Sequence, residues 1–265
     1  MEETHIVSMV ELALSQPDMR EWGPFGTDEG VDAVFSVGNP CEGHGPALPR
    51  DIDDRVAKSL AVEASNRTGA HYCGHVPYTS DRVGEIARDW SPLWVPEDEM
   101  VDGMGHYIRD YIERHGLDFQ RVLVVNGHGG NNFLGQREEE LRHIAGIGIE
   151  VVIPFAGMDA GHADTPEHSV AAYLGLVDSA KLEDMNSVIE RDPKEALSRW
   201  PPIGGLGGYL TFGGDRYAEL QKKEYGLTRC LDGFLSDRRI VADPVRGHTM
   251  YDRMLEAVCD RIGMA

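Results

Sequence analysis

The 265-residue chain predicts an α/β fold built on a mostly parallel central sheet, and three observations carry that expectation. Short, β-branched apolar runs alternate with amphipathic stretches of helical period along most of the sequence. The runs have the length of buried strands and suit a sheet covered on both faces. Polar clusters rich in carboxylate, histidine and glycine follow three of these runs, where such folds place their ligands.

Taken in order, residues Thr4 to Leu14 read as a short amphipathic helix and "VDAVFSVG" (Val31 to Gly38) as the first strand. "DDRVAKSLAVEASNRTG" has helical spacing, with Val56, Leu60, Ala61 and Ala64 on one face and Gly69 just past its end. "AHYCGHVPY" reads as a second strand running into a loop. "PEDEMVDGMGHYIRDYIERHG" opens with Pro96 and an acidic first turn, and Gly116 follows a basic last turn; both ends suit the helix dipole. "RVLVVNGHGGNN" is a strand ending in a glycine loop, "GQREEELRHIAG" the next helix, "IEVVIPFA" the next strand, and a further helix spans Glu167 to Leu176. From Leu182 the pattern fades, and "PPIGGLGGYLTFGGD" (201–215) reads as a long ordered loop over the site or at a subunit contact. "TMYDRMLEAVCDRIGMA" is a closing amphipathic helix. With no repeat, low-complexity tract or visible boundary, residues 1–265 read as one domain.

Composition narrows the function classes. An apolar fraction of 41% and a charged fraction of 26% are those of a globular protein. The net charge of −20 argues against a groove that tracks phosphates, and so against nucleic acid as a partner. Cys41, Cys73, Cys230 and Cys259 are scattered without a CxxC pair, which suits a reducing cytoplasm rather than a disulfide framework. No apolar run is long enough to span a bilayer, and the acidic N-terminus is unlike a signal peptide. The expectation is a cytoplasmic enzyme acting on a small molecule, away from membranes.

Three clusters carry the chemistry. "GNPCEGHGPALPRDIDD" gathers Glu42, His44, Asp51, Asp53 and Asp54 and stiffens them with three prolines. Glu42 and His44 are one residue apart, so an extended backbone sends both side chains the same way. A carboxylate, an imidazole and a second carboxylate make a normal donor set for zinc, manganese or iron. In "NGHGGNN", glycines flank His128 and let backbone approach a ligand; a phosphate cradle is disfavoured by the missing lysine and GxGxxG spacing. "GHADTPEHS" adds His162, Asp164, Glu167 and His168 around a helix start at the Pro166–Glu167 step. Each cluster alone could be solvated surface, but three at successive strand ends point to one site.

These stretches resemble the creatininase family of metal-dependent amidohydrolases. "EGHGPALPRDID" follows its E-x-H-G-x-x-L-P-x-x-x-D signature, "VVNGHGGNN" its second hallmark, and "GHADTPEHS" its third, from about Val31 to Asp178. The resemblance implies an α/β/α sandwich, two divalent ions per chain (zinc or manganese, with iron open), and a homo-oligomer, often a hexamer. It implies Glu42 and His128 as ligands of one metal, His44 and Glu167 of the other, and Asp53 as the bridge. A metal pair lowers the pKa of water toward neutrality and polarises a neighbouring carbonyl. The resemblance also makes His162 the proton shuttle, a task suited to an imidazole that titrates near neutrality. It places Ser80 and His162 against the substrate, with Asn131 orienting either the loop or the substrate.

Members of that family open creatinine, deformylate a pyrimidine nucleotide, trim a redox-cofactor peptide or hydrolyse inositol-derived cyclic diketones. The creatinine enzyme carries Tyr-Glu after its loop histidine, where this chain has Gly129 and Gly130, so creatinine is disfavoured and the second carboxylate falls to Glu167. Few basic residues lie near the motifs, although Arg50, Arg82 and Arg88 keep a phosphorylated substrate open. The sequence therefore suggests a hydrolase opening a small neutral ring, such as a 3-dehydro-scyllo-inosose-type diketone. The alternatives are an amidohydrolase or deformylase cleaving a C–N bond, and a non-catalytic metal-binding relative.

Overall fold

The computed structural model describes residues 33–81, 84–158, 161–200, 203 and 239–263. The helix expected over Thr4 to Leu14 lies outside them, as does the 201–215 segment apart from Ile203. Strands β1 (Ala33–Val37), β2 (His71–Val76), β3 (Arg121–Asn126) and β4 (Gly148–Val152) form one parallel sheet in the order β2-β1-β3-β4. Helix α1 (Ile52–Thr68) joins β1 to β2, α2 (Glu97–His115) joins β2 to β3, and α3 (Glu138–Ala145) joins β3 to β4. Helices α4 (Thr165–Tyr173), α5 (Ser179–Arg191), α6 (Pro193–Arg199) and α7 (Pro244–Gly263) follow.

Alternation along β3 shows how the layers form. Leu123 and Val125 face one way and pack with Leu60 of α1, Val170 of α4, and Leu255 and Val258 of α7. Val122 and Val124 face the other way, against Met100, Met104 and Ile108 of α2 and Leu141 of α3. Successive strand side chains point to opposite faces, so a strand apolar at every position needs a helical layer on each side. The result is the expected three-layer α/β/α arrangement.

Helix ends fall where the sequence placed them: Gly69 and Gly116 close α1 and α2 in the left-handed conformation, at φ 83° and 62°. Three details differ. Strand β4 stops at Val152 rather than running to Ala156, because Pro154 has no N–H for a ladder bond. Residues Gly129–Gln136 form a 3₁₀ segment, so α3 starts only at Glu138. The segment where the pattern faded contains α5 and α6, whose Leu182, Met185 and Ile189 join Trp90, Trp94 and Ile203 in a satellite core.

The strand order reverses direction between β1 and β3, since β1 leads to β2 on one side and β3 lies on the other. The carboxyl ends of strands flanking such a reversal are where an open α/β sheet receives a ligand.

Candidate metal centre

The loop after β1 supplies Glu42 and His44, and α1 supplies Asp53 from its first turn, where a carboxylate also suits the helix dipole. The end of β3 supplies His128, and the first turn of α4 supplies Glu167. Glu42, His44, Asp53 and His128 are each no more than 4% exposed. Nδ1 of His128 lies 3.0 Å from Oε2 of Glu42 and 2.9 Å from Oδ2 of Asp53. Nε2 of His44 lies 3.4 Å from Oδ1 of Asp53 and 3.4 Å from Oε1 of Glu167. Asp53 thus turns one oxygen to each histidine. Two sets of donor atoms follow, Glu42–Asp53–His128 and His44–Asp53–Glu167, each clustered closely enough to hold a divalent ion.

The chemistry of the donors fits such a cation. Both nitrogens of His44 and Oδ2 of Asp53 are buried without a hydrogen-bond partner, an expensive arrangement unless something else satisfies them. Burial by itself pushes the two imidazoles down, but the Glu167, Asp53 and Glu42 carboxylates outweigh it and hold His44 and His128 well above the usual histidine range. Burial likewise pushes the Asp53 and Glu167 carboxyls up, and the facing imidazoles overcome it, holding both below the usual carboxylate range. The cluster therefore demands positive charge, which imidazolium protons or a metal ion can supply.

Surrounding hydrogen bonds fix the ligand atoms. Nε2 of His128 lies 3.2 Å from the Ser80 carbonyl, to which it donates, so Nδ1 is the ring atom turned toward the carboxylates. Glu167 accepts the Ala163 N–H on Oε2 at 2.6 Å, leaving Oε1 toward His44. Ala163 reaches that position at φ 48°, a left-handed conformation unusual for alanine. A Cβ on Gly130 would sit 2.3 Å from Nε2 of His128, so no side chain can project there and the carboxylate on the His44 side comes from Glu167.

His162 also reaches the cluster. Its ring centroid is 4.4 Å from that of His44 and its Nδ1 is 3.6 Å from Oε1 of Glu42, while Nε2 donates to the Gly43 carbonyl at 2.9 Å. Asp51 and Asp54 stay outside: Asp51 pairs with Arg55 at 2.8 Å, and Asp54 with His75 at 3.0 Å. Asp54 lies in the first turn of α1, which begins at Ile52.

Ser80 and Asn131 are fully buried and bonded to backbone. The Ser80 hydroxyl donates to the Val95 carbonyl at 2.7 Å. The Asn131 side chain accepts from the Ser80 N–H at 2.9 Å and donates to the Gly38 carbonyl at 3.0 Å. These bonds use the groups that a substrate contact would need, and they hold together the loops on either side of His128. Asn39 is a neighbour that sequence reasoning passed over: its amide donates to Ser91 at 2.8 Å and lies 3.4 Å from Oε2 of Glu42. Its place at a strand end, three residues ahead of Glu42, was the available signal.

Paired carboxylates and imidazoles converging beyond the switch point of a parallel α/β sheet are the working parts of a metal-dependent hydrolase. Residues 27–262 match the creatininase family, described as creatinine amidohydrolase. The chain belongs to that family and is a metal-dependent amidohydrolase. It is 28% identical over 230 residues to a 2-amino-5-formylamino-6-ribosylaminopyrimidin-4(3H)-one 5'-monophosphate deformylase of Methanothermobacter thermautotrophicus, covering 85% of each chain. The deformylase of Methanothermobacter marburgensis is likewise 28% identical, over 226 residues covering 85% of this chain and 86% of the relative. Among solved structures, the manganese form of creatininase superposes with a TM-score of 0.51 at 17% identity, covering 88% of this chain and 91% of the other. A mutant creatininase of Zn-Zn type gives the same score and identity over 88% and 90%. These structural likenesses concern the fold.

No helix among the described residues is long and apolar enough to cross a membrane.

Proposed function

We propose that this protein hydrolyses the C–N bond of a formamide carried on a ribosylaminopyrimidine or a closely similar ring. The observation that supports this most directly is the likeness, over 85% of each chain, to a deformylase of that substrate class. The inosose-type diketone expected from the sequence finds no support among the relatives named above, whereas the C–N alternative does. In the reaction, water adds to the formyl carbon, the C–N bond breaks, and the products are formate and the free amine.

In this reading Glu42, Asp53 and His128 hold one divalent ion, and His44, Asp53 and Glu167 a second, with Asp53 shared. When bound, such a pair supplies Lewis acidity to the carbonyl and makes water acidic enough to attack at neutral pH. The chain's own residues do the rest. Asn39 and the Ser80 carbonyl keep the Glu42 and His128 side chains in place. Ser80 and Asn131 act by positioning, through their backbone bonds. His162, oriented by the Gly43 carbonyl, carries the proton lost by water to the departing nitrogen.

A second reading of His162 rests on its donor atom lying close to those of Glu42 and His44, a set that could itself hold a metal. Metal content of His162→Ala separates the two roles.

The test is a turnover screen of manganese- or zinc-loaded protein with the formylaminopyrimidine ribonucleotide, its dephosphorylated form, creatinine and a cyclic diketone. Formate release from the pyrimidine substrates alone is expected. Turnover of the diketone or of creatinine in preference to both formamides would overturn the proposal.

A further inference from the structure

Behind the donor cluster lies a second group of polar side chains that the proposed chemistry does not use. His75 of β2 is paired with Ser36 of β1 in the sheet register, and its Nδ1 lies 2.9 Å from the Ser36 hydroxyl. The Ser36 hydroxyl is in turn 3.0 Å from the hydroxyl of Tyr72. On the other side of the ring, Nε2 of His75 lies 3.0 Å from Oδ1 of Asp54, the residue after Asp53. Tyr72 can donate to Ser36 and Ser36 to Nδ1, which turns Nε2 toward Asp54, whose Oδ1 is buried with no other polar partner and has Nε2 within ion-pair distance.

The sheet is distorted to make this possible. Tyr72 and His75 are three residues apart, an odd separation that puts side chains on opposite faces of a regular strand. Here both reach Ser36, because the β1–β2 register slips by one: Val34 pairs with Tyr72 but Phe35 pairs with Gly74, and Cys73 is left over. Gly74 absorbs the bulge at φ 138°. Without the slip Ser36 would face Gly74, and His75 would point away from Asp54.

Asp54 is where this matters. A Cβ on Gly38 would lie 2.5 Å from the Asp54 nitrogen and 2.6 Å from the Asp53 carbonyl carbon, so the Asp53–Asp54 peptide rests directly on the end of β1. The ends of β1 and β2 therefore meet on the first turn of α1, and His75 is the β2 side chain whose ring nitrogen lies against it.

We propose that Asp54–His75–Ser36 is a positioning device that fixes the first turn of α1 and thereby the direction of both Asp53 oxygens. The inference rests on the reading that Asp53 helps hold divalent metal. None of the three residues is a catalytic residue; they act through Asp53.

The experiment is a manganese titration, by competition with a fluorescent chelator, of the unaltered chain, His75→Phe and His75→Gln, beside thermal melts of each metal-stripped protein. Glutamine keeps a donor at the Nε2 position, and phenylalanine keeps only the ring. His75→Phe is expected to weaken manganese binding by about 10–100-fold, as loss of a residue supporting a metal ligand commonly does, and His75→Gln to recover most of it. Both metal-stripped variants are expected to melt together. Affinity of His75→Phe equal to that of the unaltered chain overturns the proposal. So does a loss shared equally by His75→Gln and matched by a common fall in melting temperature, since that describes a residue needed only for folding. If His75→Phe does not fold, Asp54→Asn decides, with about tenfold weaker binding supporting the device and unchanged binding overturning it. Failure of the unaltered chain to bind manganese at all overturns the metal reading, and this inference with it.

Discussion

Gly127 and Asp53 meet so closely that one of them cannot carry a side chain: a Cβ on Gly127 would lie 2.5 Å from the Asp53 carbonyl oxygen and 2.9 Å from Cβ of Ala57. The end of β3 is thus pressed against the first turn of α1, one residue before His128. This contact sets the distance between His128 and Asp53, whose side chains approach to 2.9 Å. Gly127→Ala should push the turn away, costing about 1–3 kcal/mol of stability by overpacking and weakening manganese binding. Gly129→Ala is the matched control, because a Cβ there meets nothing within 4 Å. Equal metal affinity in the two variants would show that the contact does not position the site.

Removing metal should destabilise the fold in a way that depends on Asp53. An ion bound only by the native state stabilises by about 2.7 kcal/mol at a hundred times its dissociation constant. Chelator-stripped protein is expected to melt lower and manganese to restore it. In Asp53→Asn that increment should vanish, because both sets of donors lose their shared member. A variant that still gains the full increment would remove Asp53 from the centre of the account.

Much of this site was legible in the sequence because its residues lie in short motifs at strand ends. Glu42 with His44, His128 between glycines, and Glu167 at a helix start are each local patterns, and the parallel fold brings strand ends together. What was not legible depends on register and on distant backbone. The partnership of Asp54 with His75 requires a bulge that no periodicity reveals, so nothing in the sequence joins the two residues. Ser80 read as a substrate contact and Asn131 as orienting the loop or the substrate, and their backbone partners, at Val95 and Gly38, are remote in sequence and could not be read. Helix α5 was visible in principle: Leu182, Met185 and Ile189 lie on one face, and Asp178 caps the helix by accepting the Lys181 N–H. The glycine- and proline-rich stretch beyond it obscured that period.

His162 offers a sharp separation of roles. Its ring borders the cluster but is tethered by Nε2 to the Gly43 carbonyl, and its side chain is 20% exposed where the donors of the Glu42–Asp53–His128 set are almost fully buried. A group that moves protons needs such access, and positioned acid–base groups contribute about 10²–10⁴-fold to turnover. His162→Ala is expected to keep both metals by elemental analysis and to lose turnover by a factor in that range. Loss of one metal equivalent would instead make His162 a ligand.

Acid sensitivity should trace in part to a histidine far from the metal centre. His71 opens β2 at the opposite end of the strand, is buried, and packs its ring 5.7 Å from that of Phe119. Burial, assisted by the nearby His115 charge, lowers its pKa from the usual value. The folded chain therefore keeps His71 neutral, while the unfolded chain takes up a proton as pH falls through about 6.5. Below that pH the unfolded state binds the extra proton, so this residue's contribution to stability is lost as pH falls and is fully present above it. His71→Phe, which cannot take up that proton, should flatten the fall in urea midpoint between about pH 7.5 and about pH 5.5 relative to the unaltered chain. Parallel pH profiles for the two proteins would mean that His71 titrates alike in both states and that the acid response comes from elsewhere.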